Sequence, residues 1–354
     1  MDDNPRSDKT RLDPLTIMRR WVAPVAASAG IALVLAAAVD FINGASPPPR
    51  AAKKTPRPAT SKGTGTAAVP TLMSKDRPLP RHLVGVRRPG TAVVVRDVRT
   101  LAPIGSIPAP ANRRFQQVAA AGAGSYIVSG AARNGTVFYR LTLASDGRPA
   151  PLTALPRVRV PGTSTAWSDM AISQDGGTIA YVSYRTATRR PAIDTVSVDT
   201  GARRTWTTAL SGRIGALSWA GRTLSFVWSP TRGAIRHQVR LLDTALPGGD
   251  LKVSRPALTL PAGADTAVVS RDGATIVTGV AGRSGLSLAA YSVASGRQTA
   301  VLWRRSGGPS RVIRLIPDRA GGDLIAATPG GRLIVAPAHG AIEATAADIA
   351  DLAW

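Results

Sequence analysis

No cysteine occurs in the 354 residues, which rules out disulfides, thiolate metal sites, cysteine nucleophiles and a lipidated N-terminal cysteine. Histidine is nearly as scarce. His82, His237 and His339 stand about 100 or more residues apart, a spacing that gives no paired metal-ligand motif. Glutamate occurs once, as Glu343, so a pair of catalytic carboxylates has to be sought among aspartates that fall mostly in turns. Aromatic residues make up only 5% of the chain, and its apolar content of 44% rests on Val, Ile, Leu and Ala. Lysine is also rare: of 45 basic residues 39 are arginine, and the formal charge is +24. Part of that skew has the look of a high-GC coding bias. A charge of this size still favours encounter with anionic surfaces such as phospholipid headgroups, cell-wall polymers or nucleic acid.

One long apolar run is present. Val22 to Val39 carries no charge and is bounded by Arg19-Arg20-Trp21 and Asp40. At helical rise it covers about 27 Å, and Trp21 and Phe41 extend it toward a hydrocarbon core of roughly 30 Å. The reading is a transmembrane signal anchor over residues 21–41 behind a short cytoplasmic tail, residues 1–20. Arg19 and Arg20 favour a cytoplasmic N-terminus, while the basic residues after the span oppose it. A cleaved signal peptide with Ala36-Ala37-Ala38 at its cleavage site is the alternative, and either reading exports the remainder. Residues 42–80 are rich in proline and basic charge and poor in large apolar side chains, as in an extended, disordered spacer.

From residue 81 short strands alternate with turn signals. Asp169 to Ser183 reads as a hairpin turning at Gln174-Asp175-Gly176-Gly177, and Thr195 to Trp206 as a second turning at Asp199-Thr200-Gly201. The pair makes four antiparallel strands. Thr266 to Val277 and Ala290 to Ala300 repeat them, and shorter or degenerate copies lie at 217–227, 313–328 and 118–139. Aligning Ala120, Ser173, Trp219, Ser270 and Pro317 gives intervals of 53, 46, 51 and 47 residues, the size of a propeller blade. Three further strands, at 82–86, 92–98 and 104–107, have no inner strand before them. The segment 348–354 repeats the Ile-x-x-Leu-x-Trp pattern of Ile214 to Trp219. The expectation is therefore an all-β, six-bladed β-propeller over residues 81–354, with seven blades possible, closed by the C-terminal strand in the first blade. A β-sandwich would not split a repeat between the two ends.

Ser173-Gln-Asp-Gly and Ser270-Arg-Asp-Gly, each followed by a hairpin, resemble the repeats of TolB-like propellers, in which proline usually precedes the Asp-Gly pair. Gln174 and Arg271 depart from that pattern, and the WD-repeat signature is matched less closely. The whole layout resembles single-pass, membrane-anchored actinobacterial proteins. The resemblance implies binding or scaffolding at the cell envelope, with an envelope protein or anionic polymer as partner, and specifies no ligand.

Chemistry is sparse. Gly162-Thr-Ser-Thr-Ala166 comes nearest to a nucleophile elbow but lacks its final glycine. Asp175 and Asp272 read as turn residues rather than calcium ligands. Trp219 and Trp354, at equivalent strand positions, are expected to pack between blades. Trp167, Trp206, Trp228 and Trp303 are alternative sugar-stacking platforms. The pairs Arg189-Arg190, Arg203-Arg204 and Arg304-Arg305 are expected on solvated outer strands, without the interleaved aromatics of a nucleic-acid site. No residue is assigned a catalytic, cofactor or metal role. The expectation is a non-enzymatic binding, scaffold or sensor module on the outer side of the membrane, with an envelope hydrolase or lyase using the propeller channel as the alternative.

Overall fold

The computed structural model describes residues 79–185, 187–231, 236–307, 311–318, 323–336 and 342–354. The expected tail, membrane span and nearly all of the spacer lie outside these residues. Among the described residues no helix is long and apolar enough to cross a membrane. Leu79, placed by the sequence in the spacer, is instead buried in the core of the domain.

Five of the sheets are built on an antiparallel meander whose inner strand comes first in the chain. The chain opens with β1 (His82–Arg87), β2 (Ala92–Asp97) and β3 (Pro103–Pro108). The next sheet is formed by β4 (Arg114–Gly122), β5 (Ser125–Ala132), β6 (Gly135–Thr142) and β7 (Thr153–Val160). Then come β8 (Met170–Ile172), β9 (Thr178–Tyr184), β10 (Pro191–Ser197) and β11 (Arg203–Thr207). The fourth sheet has β12 (Gly212–Ala220), β13 (Thr223–Pro230), β14 (Gln238–Asp243) and β16 (Arg255–Thr259). Its excursion β15 (Gly249–Asp250) reaches back to lie parallel to β11. The last two consecutive sheets are β17 (Ala267–Val269), β18 (Thr275–Gly282), β19 (Gly285–Ser292), β20 (Gln298–Ser306), and β21 (Arg314–Pro317), β22 (Leu324–Ala327), β23 (Arg332–Ala336), β24 (Ile342–Thr345).

Five complete sheets thus follow one another along the chain, and the remaining one is composite. There β25 (Ile349–Ala353) pairs with β1, setting Ala353 opposite Val84 and Leu352 opposite Gly85, to give the order β25-β1-β2-β3. No seventh sheet is found among the described residues.

The repeat works because each sheet alternates core-facing side chains on both of its faces. Each pair of neighbouring sheets shares one apolar cluster. Leu83, Val94 and Trp354 pack on Ile316, Ile325 and Leu333, which joins the composite sheet to the last one. The composite sheet meets the second through Val84, Phe115 and Val128, and the second meets the third through Phe138, Val158 and Tyr181. The other junctions are built around Trp206 and Phe226, around Val239 and Val269, and around Leu288 and Leu315. The ring closes on itself, and all of these cores lie within residues 79–354.

The Asp-Gly turns behave as the sequence predicts. Asp175 Oδ1 accepts the Gly177 N–H at 2.9 Å and the Ser173 hydroxyl at 2.5 Å. Asp272 likewise accepts from the Ala274 N–H at 2.9 Å and from Ser270. Gly176 and Gly273 follow at φ +76° and +72°, a conformation that a side chain would strain. Among the arginine pairs, Arg203-Arg204 and Arg304-Arg305 lie on the outer strands β11 and β20. Arg189-Arg190 does not: it sits in the loop between β9 and β10, where Pro191 opens the next strand.

Candidate functional site: the central channel

The inner strands β25, β4, β8, β12, β17 and β21 converge on one axis, and their two ends differ in chemistry. Where the inner strands begin (the entry face), Arg314 of β21 reaches across the channel. Its Nη1 forms an ion pair with Asp351 of β25 and donates to Gln117 Oε1 of β4 at 2.9 Å, while Nη2 meets Asp169 Oδ1 at 3.0 Å. Three strands and the residue preceding β8 are thereby joined by one guanidinium.

The carboxylates are also committed to backbone. Asp351 Oδ2 accepts the Val118 N–H at 2.7 Å and Asp169 Oδ2 accepts the Leu217 N–H at 2.9 Å. Ser218 repeats the device one sheet further on, where its Oγ accepts the Val269 N–H at 3.0 Å. In each case a side chain on one inner strand, or just ahead of it, satisfies an amide of the next sheet's inner strand. The links tie neighbouring sheets together where no ladder hydrogen bonds run.

Burial sets the charge state of this plug. Loss of solvent pushes the Asp351 carboxyl up to about 6, against the pull of Arg314 and the Val118 amide. Burial also raises Asp194, whose oxygens take the Thr205 and Ser183 hydroxyls at 2.6 and 3.0 Å within the third sheet. A carboxyl raised on folding is protonated more readily in the native than in the unfolded state. Its contribution therefore favours the fold at acid pH and is lost as pH rises from about 4 to about 6. Hydrogen bonds lower Asp97 and Asp175, which act in the opposite sense below pH 4. The domain should thus melt higher at pH 5 than at pH 7.5, and Asp351→Asn should flatten that slope by about 1–3 kcal/mol. Thermal melts across that range check it.

Beyond the plug the channel opens toward the ends of the inner strands (the exit face) into a cavity of about 140 Å³. Ala120, Ala171, Leu217, Trp219, Val268 and Leu352 are among its lining, and Gln174, Arg271 and Asp318 stand at its rim. Its volume is close to that of the roughly 150 Å³ dry cavities that accept benzene. It falls well short of the roughly 300–1,000 Å³ of a site for a whole metabolite. Small side chains at Ala120 and Ala171 leave this space; a bulky residue at either position would fill it.

The residues singled out in the sequence take up varied roles. Trp354 is buried between sheets and its Nε1 donates to the Ile316 carbonyl at 3.2 Å, while Trp219 packs against the neighbouring core and lines the cavity. Trp206 is fully buried, Trp228 and Trp303 are partly so, and Trp167 is exposed beneath the Arg213 guanidinium, 4.0 Å from its ring centroid. Ser164 sits in the loop leading to β8, with its Oγ 2.6 Å from the Tyr181 hydroxyl. His237 Nδ1 lies 2.6 Å from Ser229 Oγ, and its Nε2 is 3.9 Å from Asp265, whose other oxygen is held by Arg311 at 3.1 Å. That cluster ties three loops of the entry face together. His339 lies outside the described residues. Sequence reasoning missed Arg314, Asp351, Asp169 and Gln117. Their signal was faint, because polar residues on otherwise apolar inner strands are visible only once those strands are aligned around the ring.

No family model and no curated protein matches the sequence. Solved structures do share its architecture. TolB from Acinetobacter baumannii superposes with a TM-score of 0.50 at 14% identity, over 77% of this chain and 65% of that one. A protein of unknown function from Bacteroides caccae gives 0.49 at 13% identity, over 78% and 98%. The chain spans about two thirds of the length of TolB, and at this identity the likeness concerns the fold alone: this is a TolB-like β-propeller in architecture.

Proposed function

We propose that the protein is a non-enzymatic binding or scaffold module of the cell envelope. In this reading a six-bladed ring is carried outside the membrane by the apolar run Val22–Val39, with the N-terminus in the cytoplasm. The layout of apolar run, proline-rich spacer and propeller resembles that of membrane-anchored actinobacterial proteins. The observation that carries the functional part is the shape of the channel. One end is stopped by a side-chain plug, and the other is a mainly apolar recess, with polar side chains at its rim and floor, the size of a single ring or branched side chain. Such a recess suits an anchor residue on a protein partner, since one desolvated side chain in a tight pocket supplies a large share of binding energy. A hydrolase or lyase needs a free base beside a substrate-sized space. Here Asp169 and Asp351 are engaged by backbone amides and by Arg314.

The test is capture from the native envelope after detergent extraction, using the full chain and an Ala120→Trp variant that fills the recess. One stoichiometric protein partner should be retained by the former and at least about tenfold less by the latter. Equal capture by both, or turnover of an envelope substrate by the purified domain, would refute this reading.

A further inference from the structure

The two faces of the ring differ sharply in charge. Strand alternation places the loops β1–β2, β3–β4, β5–β6, β7–β8 and their counterparts on the entry face, and the remaining loops on the exit face. Among the described residues, the entry-face loops carry nine arginines (88, 113, 133, 185, 189, 190, 236, 283 and 311). Apart from Asp169, which is consumed in the plug, their acids are only Asp265 and Asp348. The exit-face loops carry seven basic and seven acidic residues and are balanced. Among the described loops the net positive charge is thus gathered on one side, while further arginines lie along the strands.

Among the described residues, three of the five large apolar side chains that stand exposed are on that same basic side. Trp167 (54% exposed) is in the β7–β8 loop, Leu210 (58%) in the β11–β12 loop and Ile313 (46%) in the β20–β21 loop. Each precedes the inner strand of a different sheet, so they form three separated points around the channel mouth. Arg133, Arg190 and Arg283 are exposed among them and form no ion pair with any described residue.

We infer that the entry face is a docking surface for an anionic lipid bilayer. Arginines gathered on one face suit a surface of headgroup phosphates, with attraction that accumulates residue by residue near the surface. Trp, Leu and Ile projecting from the same plane have a place to go in a bilayer interface, where an indole ring is favoured. A soluble polyanion would use the arginines but offers nothing to the three apolar tips, which is why the bilayer is preferred. This inference concerns the face opposite the recess, so its failure leaves the binding reading intact, and the Ala120→Trp variant should dock on lipid normally.

The experiment uses residues 79–354, which close their own ring, in co-sedimentation with vesicles of phosphatidylcholine alone or with about a third phosphatidylglycerol. Binding to the anionic vesicles should be at least about tenfold tighter and should weaken as salt rises from about 0.05 to about 0.5 M. Arg133→Glu/Arg190→Glu/Arg283→Glu should abolish this preference, whereas Arg222→Glu/Arg297→Glu on the exit face should not. Brominated lipid should quench tryptophan emission, and Trp167→Phe should remove most of that quenching. Trp167→Ser/Leu210→Ser/Ile313→Ser should bind at least about threefold less with an unchanged melt. The inference is overturned by equal binding to neutral vesicles, by no binding, or by equal losses from either face. It is also overturned if polyglycerol phosphate binds as tightly as vesicles and the apolar triple variant is indifferent, since a polymer would then be the partner.

Discussion

Removing residues 348–354 from the isolated domain should abolish its cooperative melting transition. Those few residues bury Ile349, Leu352, Ala353 and Trp354 and provide Asp351 of the plug. At about 1.5–3 kcal/mol for each large apolar side chain, Ile349, Leu352 and Trp354 alone account for roughly 6 kcal/mol. That is comparable with the whole stability of a typical domain, about 5–15 kcal/mol. The loss also uncovers the edge of β1 and the flank of the last sheet, so the shortened domain should self-associate. Leu352→Ala is the milder version and should cost about 2–5 kcal/mol. Differential scanning calorimetry reads both. A truncated domain melting at the parent temperature would mean that the ring does not depend on its composite sheet.

Arg314→Met is expected to be the most damaging single substitution in the channel, at about 3–5 kcal/mol. It leaves the largely buried Asp169 and Asp351 as two carboxylates without their counter-ion. Restoring neutrality should reverse most of the loss, because a buried ion cluster is often no more stable than an uncharged replacement of similar volume. Arg314→Met with Asp169→Asn and Asp351→Asn should therefore recover at least half of the deficit. The asparagine side-chain oxygens can still accept the Val118 and Leu217 amides. Urea melts of the single and triple variants decide it. A cost below about 1 kcal/mol for the single variant would show that the guanidinium is not what keeps those charges in place.

Repetition made the fold legible. Hairpins such as 169–183 and 266–277 announce their strands by β-branched alternation and their turns by Asp-Gly, both of which are local signals. The role of 349–354 was also readable, since the segment copies Ile214 to Trp219 and the missing inner strand sits at the opposite end of the chain. The plug was not readable. Arg314 lies 197 residues from Gln117 and 145 from Asp169, and nothing in the local sequence of any of them marks the others. The charged face escaped notice for a related reason. Arg133, Arg190 and Arg283 look like scattered surface residues until strand direction sorts the loops onto two sides. Arg189-Arg190 was assigned to a strand because a basic pair beside β-like text gives no sign of the turn before Pro191.

The composite sheet imposes an order of events on the living chain. Its edge at β1 is among the first parts of the domain to leave the ribosome, and its partner at 349–353 is among the last. Until then one edge stays open to whatever strand comes near. The seam can be sealed only when residues 349–353 reach β1.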